Sequence, residues 1–404
     1  MTPLSAPGTV TPTPVPAQPS PEAVGRVTGL LLGIAAGDAA GWPAGRHRAT
    51  QLPDWTRRLT RELDTFAEQN ATTTLPVPIA LNQPPEPLLL GPSDDAEWAA
   101  FTALAVLAAT GGEGRPPTGP QVRAALSLAW QGLAEEVAAA AHHADEIESA
   151  RIPLRARISV RAGLGNLAAG LLPPATGHDN PHYFDDAACV RGCVLAVLHP
   201  GDPGAAADLA EFDARYTQDG DGVLGARAMA AAVALALAGH GVDACVDAAL
   251  GQLPAGTEIR RNAERAVELG RTAAAARPGA AGNAFALVPV LEHEIVDHVY
   301  SYGIAAAETV PVALAVVTAA SGAIAEAVPT TACLSRVADS APALAGALTG
   351  ALQGAEALPA TWREACRRLA GCALPQLAGT DLVDTARRLT RTAPTRPATE
   401  GPRP

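Results

Sequence analysis

Along this chain the apolar residues gather into long alanine- and leucine-rich runs, separated by short polar stretches. The run "RVTGLLLGIAAGDAAG" at residues 26–41 predicts an apolar helix stopped by its last glycine. "DAEWAAFTALAVLAAT" predicts a second, and "TGPQVRAALSLAWQGLAEEVAAAAHHADEIESA" one or two more. Further helical runs are "LGARAMAAAVALALAGHG", "EIVDHVYSYGIAAAETVPVALAVVTAA" and "APALAGALTGALQGAEA". Clusters such as "GGEGRPPTGP", "LLPPATGHDNP" and "HPGDPG" punctuate them. Period-two alternation, the mark of a half-buried strand, is absent. The pattern predicts one all-α domain, a single compact multi-helix bundle over residues 23–388. Pro-rich polar tails at 1–22 and 389–404 are expected to be disordered, and residues 69–92 an extended loop. Gly346, Gly350 and Gly354 lie four apart, a small-residue stripe that predicts a tightly packed core helix.

Composition sharpens this picture. Hydrophobic residues make up 48% of the 404, yet aromatics only 3%. The core must therefore be built from Ala, Leu and Val, which favours closely packed helices. The formal net charge of -12 repels phosphate backbones, so no nucleic-acid partner is expected. Cys189 and Cys193 are four apart, Cys366 and Cys372 six apart, and neither spacing is a metal or redox motif. The first residues lack the basic region and apolar core of a secretory signal. Glu308 and Pro311 interrupt the most apolar stretch, so no membrane partner is expected, and a cytoplasmic location follows.

Four polar groups stand out against this background. "GPSDDAEW" sets Ser93, Asp94 and Asp95 at the start of a helix. Ser and Asp are preferred N-caps, and Asp94 with Glu97 has the capping-box spacing. "SRVADSAP" sets Asp339 and Ser340 ahead of Pro342, another helix start. Both also concentrate hard oxygen donors of the kind magnesium takes. Local sequence leaves capping and metal ligation open at each. "HDNPHYFDDAACVRG" is the densest polar cluster, with Asp185, Asp186 and Arg191 at its end. "YTQDGDGVLG" lacks the remaining ligands of a calcium loop. His293 and His298, five apart, do not share a helix face as a zinc pair would, whereas His293 and Asp297 do.

Taken in order, these motifs make the chain resemble the ADP-ribosylglycohydrolase family, which includes the dinitrogenase-reductase activating glycohydrolases. "GIAAGDAAG" at 33–41 resembles the family's G-D-A-x-G helix end, and "SDDA" at 93–96 its T-D-D-T motif. "DDAACVR" at 185–191 resembles D-N-G-x-x-M-R. "SRVADSAPALAGALTGA" resembles G-G-D-T-D-S/T with its following G-A-L-x-G-A helix. The resemblance covers residues 24–362. It implies an all-α fold and one or two magnesium ions held by Ser93, Asp94, Asp95, Asp339 and Ser340. It implies catalytic Asp185 and Asp186, and a substrate contacted by Asp38 and Arg191. Val337 stands where the family has an aspartate, Gly45 near an expected acid, Asp186 for Asn, and Gln218 for His. Asp186, Asp219 and Asp221 are candidates to replace the lost acids.

The resulting expectation is a monomeric, magnesium-dependent glycohydrolase. It would cleave a ribosyl C1 bond in an ADP-ribosylated protein or a small ribosylated metabolite. The alternatives are a non-catalytic ADP-ribose- or nucleotide-binding member with a degenerate metal site, and a helical scaffold with ordinary caps.

Overall fold

The computed structural model describes residues 19–51, 91–110, 116–142, 156–278, 281–296, 298–299 and 304–393. In chain order its helices are α1 (Pro21–Gln51), α2 (Asp94–Ala108), α3 (Gly119–His142), α4 (Ile158–Ala168), α5 (Ala175–His178) and α6 (Ala187–Leu195). They continue with α7 (Pro203–Ala214), α8 (Gly220–Leu237), α9 (Val242–Gly251), α10 (Glu258–Ala276) and α11 (Val288–Glu294). The last are α12 (Ala306–Ala319), α13 (Ile324–Cys333), α14 (Ala341–Gln353), α15 (Ala360–Ala365) and α16 (Leu382–Thr390). Among the described residues there is no β-strand, and the two β-bridges are isolated. The fold is all-α, as the apolar pattern predicts. Both tails fall outside the described residues, except at 19–22 and 389–393. The loop expected at 69–92 does so too, except at 91–92.

The apolar helices α1, α8, α12 and α14 form the interior. Every residue of α12 is buried. α1 packs on α14, α14 on α8 and α12, and α10 covers α12. Residues 21–41 and helix α8 are each long and apolar enough to cross a membrane, but 67% and 72% of them are buried inside the protein.

α1 and α14 touch backbone to backbone. A Cβ on Gly33 would stand 2.0 Å from the carbonyl oxygen of Gly346, and one on Gly346 would stand 2.0 Å from that of Gly33. Gly29 and Gly350 repeat the arrangement at 2.2 and 2.0 Å. Further along, Gly37 meets the carbonyl of Pro342 and Gly41 that of Ala338. Real Cβ atoms cannot approach so closely, so both four-residue glycine repeats are needed for this crossing. Gly41 does not end α1, contrary to the expectation. Its missing side chain admits a neighbour's backbone rather than a turn. Gly354, at φ 79°, does end α14. From α1, Arg26 Nη1 donates to the carbonyls of Ala351 and Leu352, at the end of α14, and of Ala236 near the end of α8. A cation there suits the negative end of both helix dipoles.

The stretch expected as one helix at 294–320 is divided. Ahead of α12 the chain is extended, and it pairs with the segment that carries Asp185. Asp186 N donates to Ile304 O at 3.0 Å, and Ala306 N to Phe184 O at 3.1 Å.

Gly33→Ala should cost stability at or above the upper end of the roughly 1–3 kcal/mol typical of overpacking. Gly25→Ala, one turn outside the contact with nothing within 4 Å of the added methyl, should be neutral or stabilising by up to about 1 kcal/mol. Urea unfolding of the two variants checks this. Equal stability of Gly33→Ala and the wild type would refute the close crossing.

Candidate active site

The α1–α14 contact sets Asp38, one residue past Gly37, beside the start of α2. Asp38 Oδ2 accepts from Ser93 N at 2.7 Å and from Ala96 N at 3.0 Å. It thus caps α2 from a distant part of the chain. Ser93 occupies the N-cap position but makes no side-chain cap. Its hydroxyl donates instead to Asp94 Oδ1 at 2.8 Å. The capping box is not formed either. Glu97 is fully buried, and its carboxylate accepts four backbone N–H groups, from Gly371, Cys372, Ala373 and Leu374, at 2.6–2.8 Å. Ser340, the N-cap residue of α14, makes no side-chain cap.

Arg157, just ahead of α4, ties the start of α14 to the segment ahead of α6. It is 3% exposed. Its Nη2 lies 2.9 Å from Asp339 Oδ2 and 3.4 Å from Asp186 Oδ1, and it donates to Ser340 Oγ. Burial works against its charge, but Asp186, Asp339, Asp95 and Asp185 outweigh burial and drive its pKa upward. Its Nη1 is buried with no hydrogen-bond partner, and so is Asp95 Oδ2.

The acids are held in a medium that disfavours their charge. Burial, then the neighbouring Asp94, pushes Asp38 up to about 8. Burial lifts Asp95 well above its ordinary range, against the pull of Arg157. Burial lifts Asp186 to about 7, again opposed by Arg157. Asp185 is also raised by burial. Its Oδ1 accepts from Ala187 N at 3.1 Å and from Gln218 Nε2 at 2.9 Å. Gln218, which stands where the resemblance has His, therefore orients Asp185.

Arg191 lies elsewhere. It is fully buried, its Nε donates to Asp213 at 2.7 Å, and its Nη1 and Nη2 donate to Ala187 O and Thr217 Oγ1. Its guanidinium stacks 4.9 Å from the Trp130 ring. All three nitrogens are engaged within the protein, so in this conformation Arg191 braces α6 against α7 rather than facing a ligand. Asp219 pairs with His178 at 2.7 Å and Arg215 at 3.4 Å. Asp221 lines a cavity of about 400 Å³ with Tyr183, Phe184, Gly220 and Val299, beside the segment leading to Asp185. Of the three candidate replacement acids, Asp186 is the one paired with Arg157. The side chains around Gly45, and Asp297, fall outside what the structure describes.

A family model described as ADP-ribosylglycohydrolase matches residues 19–397. The chain belongs to the ADP-ribosylglycohydrolase family. A solved structure described as an ADP-ribosylglycohydrolase-related protein complex is similar over 92% of this chain and 99% of that one, at 18% identity and a TM-score of 0.49. No curated protein sequence matches the chain.

The glycohydrolase family resemblance implies magnesium, which takes about six oxygen ligands at roughly 2.0–2.1 Å in near-octahedral array. The residues do not fit that demand as they are arranged. Asp339 and Ser340 are turned to Arg157. Among the described residues no three His, Cys, Asp or Glu side chains converge where they could hold a metal. Arg157 has no counterpart in the motif reading. Its one signal in the sequence is a basic stretch, "RIPLRARISVR", directly before an apolar helix.

Because Asp38 keeps its proton to about pH 8 when folded but to about pH 4 when unfolded, the folded state binds more protons between those limits. Its contribution to stability is present at low pH and is lost as pH rises toward about 8. The stability of Asp38→Asn relative to the wild type should therefore improve steadily from about pH 5 to about pH 8. A pH-independent difference in urea midpoints would contradict this.

Proposed function

We propose that this protein binds the ribosyl part of an ADP-ribosylated protein or a small ribosylated metabolite and hydrolyses the bond at its C1. Family membership supports the reaction class. The observation that carries the reading is the buried Arg157 paired with Asp339 and Asp186 from separate segments, with Asp95 and Asp185 near enough to act on its charge. Positive charge develops at C1 as a glycosidic bond breaks, and carboxylates at that place stabilise it. Asp186, with its carboxyl held near 7, is suited to give a proton to the departing group. The Asp339 side chain, at 21%, is more exposed than that of Asp186, at 0%. In this reading Asp339 is the carboxylate a ligand meets first, and Gln218 fixes the orientation of Asp185. The leaving group departs with the proton from Asp186, and the water that bonds to C1 gives a proton back to the emptied Asp186 carboxylate.

One observation favours a second reading, a non-catalytic ADP-ribose-binding protein. Asp185 and Asp186 are both fully buried, which removes them from direct reach of a ligand in this conformation.

A panel of ADP-ribosyl-arginine, ADP-ribosyl-serine and simple ribosides separates the two. Hydrolysis of at least one member is expected, slowed on the order of a hundredfold or more by Asp186→Asn. Calorimetric binding of ADP-ribose with no product from any member would instead establish the binding protein.

A further inference from the structure

The magnesium ligands implied by the family resemblance and the observed cluster disagree at one place, and a side chain fills it. Asp339 and Ser340 at the start of α14, and Asp186 ahead of α6, all contact the same Nη2 of Arg157. The charge of Arg157 also acts on Asp95, at the start of α2. A fixed cation therefore already stands among the groups that would close around a metal. Two further departures offset each other. Val337, fully buried, removes one negative charge from the same motif, where the resemblance has an aspartate. Asp186, where the resemblance has Asn, returns that charge to the cluster, so Arg157 leaves the centre about one charge unit less attractive to a divalent ion.

We propose that Arg157 is the resident cation of this centre, so that the site holds its ligand without a metal ion. A guanidinium is always charged and carries five N–H donors in a planar fork. Nη2 is engaged by the protein. Nη1 is buried and has no hydrogen-bond partner, and a buried donor left unpaired is costly. A vicinal diol entering past the partly exposed Asp339 side chain offers the acceptor oxygens this donor needs, and ribose hydroxyls supply that chemistry. Only the naming of ribose rests on the function proposed above. The exclusion of metal stands on the ion pairs alone.

The test uses the full chain and its Arg157→Lys and Arg157→Gln variants. Manganese binding is read by electron paramagnetic resonance, and melting is followed in magnesium and in chelator. The wild type and Arg157→Lys are expected to bind no manganese and to melt at the same temperature in both media. Arg157→Gln removes the cation at similar size, and it is expected to gain manganese binding and a melting temperature that rises with magnesium. ADP-ribose should bind the wild type equally in chelator, and about tenfold or more weakly to Arg157→Gln, the loss of one charge-assisted hydrogen bond. Stoichiometric manganese on the wild type, lost in Asp339→Asn, would overturn the proposal. So would an Arg157→Gln variant that folds and binds no more manganese than the wild type. If that variant does not fold, the wild type and Arg157→Lys decide the matter. Absence of ADP-ribose binding under every condition would remove the proposed function while the manganese result still judged the role of Arg157.

Discussion

Where α1 crosses α14, carbonyl oxygens of each helix lie where the other's side chains would begin. Glycines spaced four apart on both helices make this possible, and the contact runs from Gly29 to Gly41 along α1. The acids depend on it. Asp38 follows Gly37 on one helix, and Asp339 and Ser340 immediately precede the other. A crossing even one side chain wider would move Asp38, on α1, away from Asp339 and Ser340 at the start of α14. Backbone contact between apolar helices is thus what concentrates carboxylates in an interior that otherwise holds mostly Ala, Leu and Val.

Concentrated, buried carboxylates are unstable unless something offsets their charge. Two devices do so here. Backbone N–H groups take up Asp38 and Glu97, Glu97 with four of them. Arg157 takes up Asp339 and Asp186. These devices offset burial only in part, and burial still holds protons on Asp38, raised to about 8, on Asp186, raised to about 7, and on Asp95. The same balance that lets the fold tolerate its acids leaves Asp186 able to exchange a proton near neutral pH.

The helices were legible because apolar spacing is a local property, and Gly346 and Gly350 of the expected stripe do mark a close core contact, whereas Gly354 ends the helix. Its partner stripe on α1 was harder to see, because a glycine that admits a neighbour looks the same in sequence as one that ends a helix. Ser93, Asp94 and Glu97 have the spacing of local caps, yet Ser93 turns its hydroxyl to Asp94 and Glu97 is taken up by a distant segment. The cap of α2 comes from Asp38, 55 residues earlier, and Glu97 reaches Gly371, 274 residues later. Arg191 carries the right letter of a family motif, but its burial against Asp213 and Trp130 is a property of packing. Arg157 was illegible for a related reason. A basic run before a helix reads as solvated surface unless one knows which acids the fold will turn toward it.

Anomalous diffraction from crystals grown in manganese tests the arrangement most directly. The expected map shows the Arg157 guanidinium between Asp186 and Asp339, with no anomalous peak among Asp94, Asp95 and Asp339. A manganese peak bridging those acids, with Arg157 displaced from them, would contradict it.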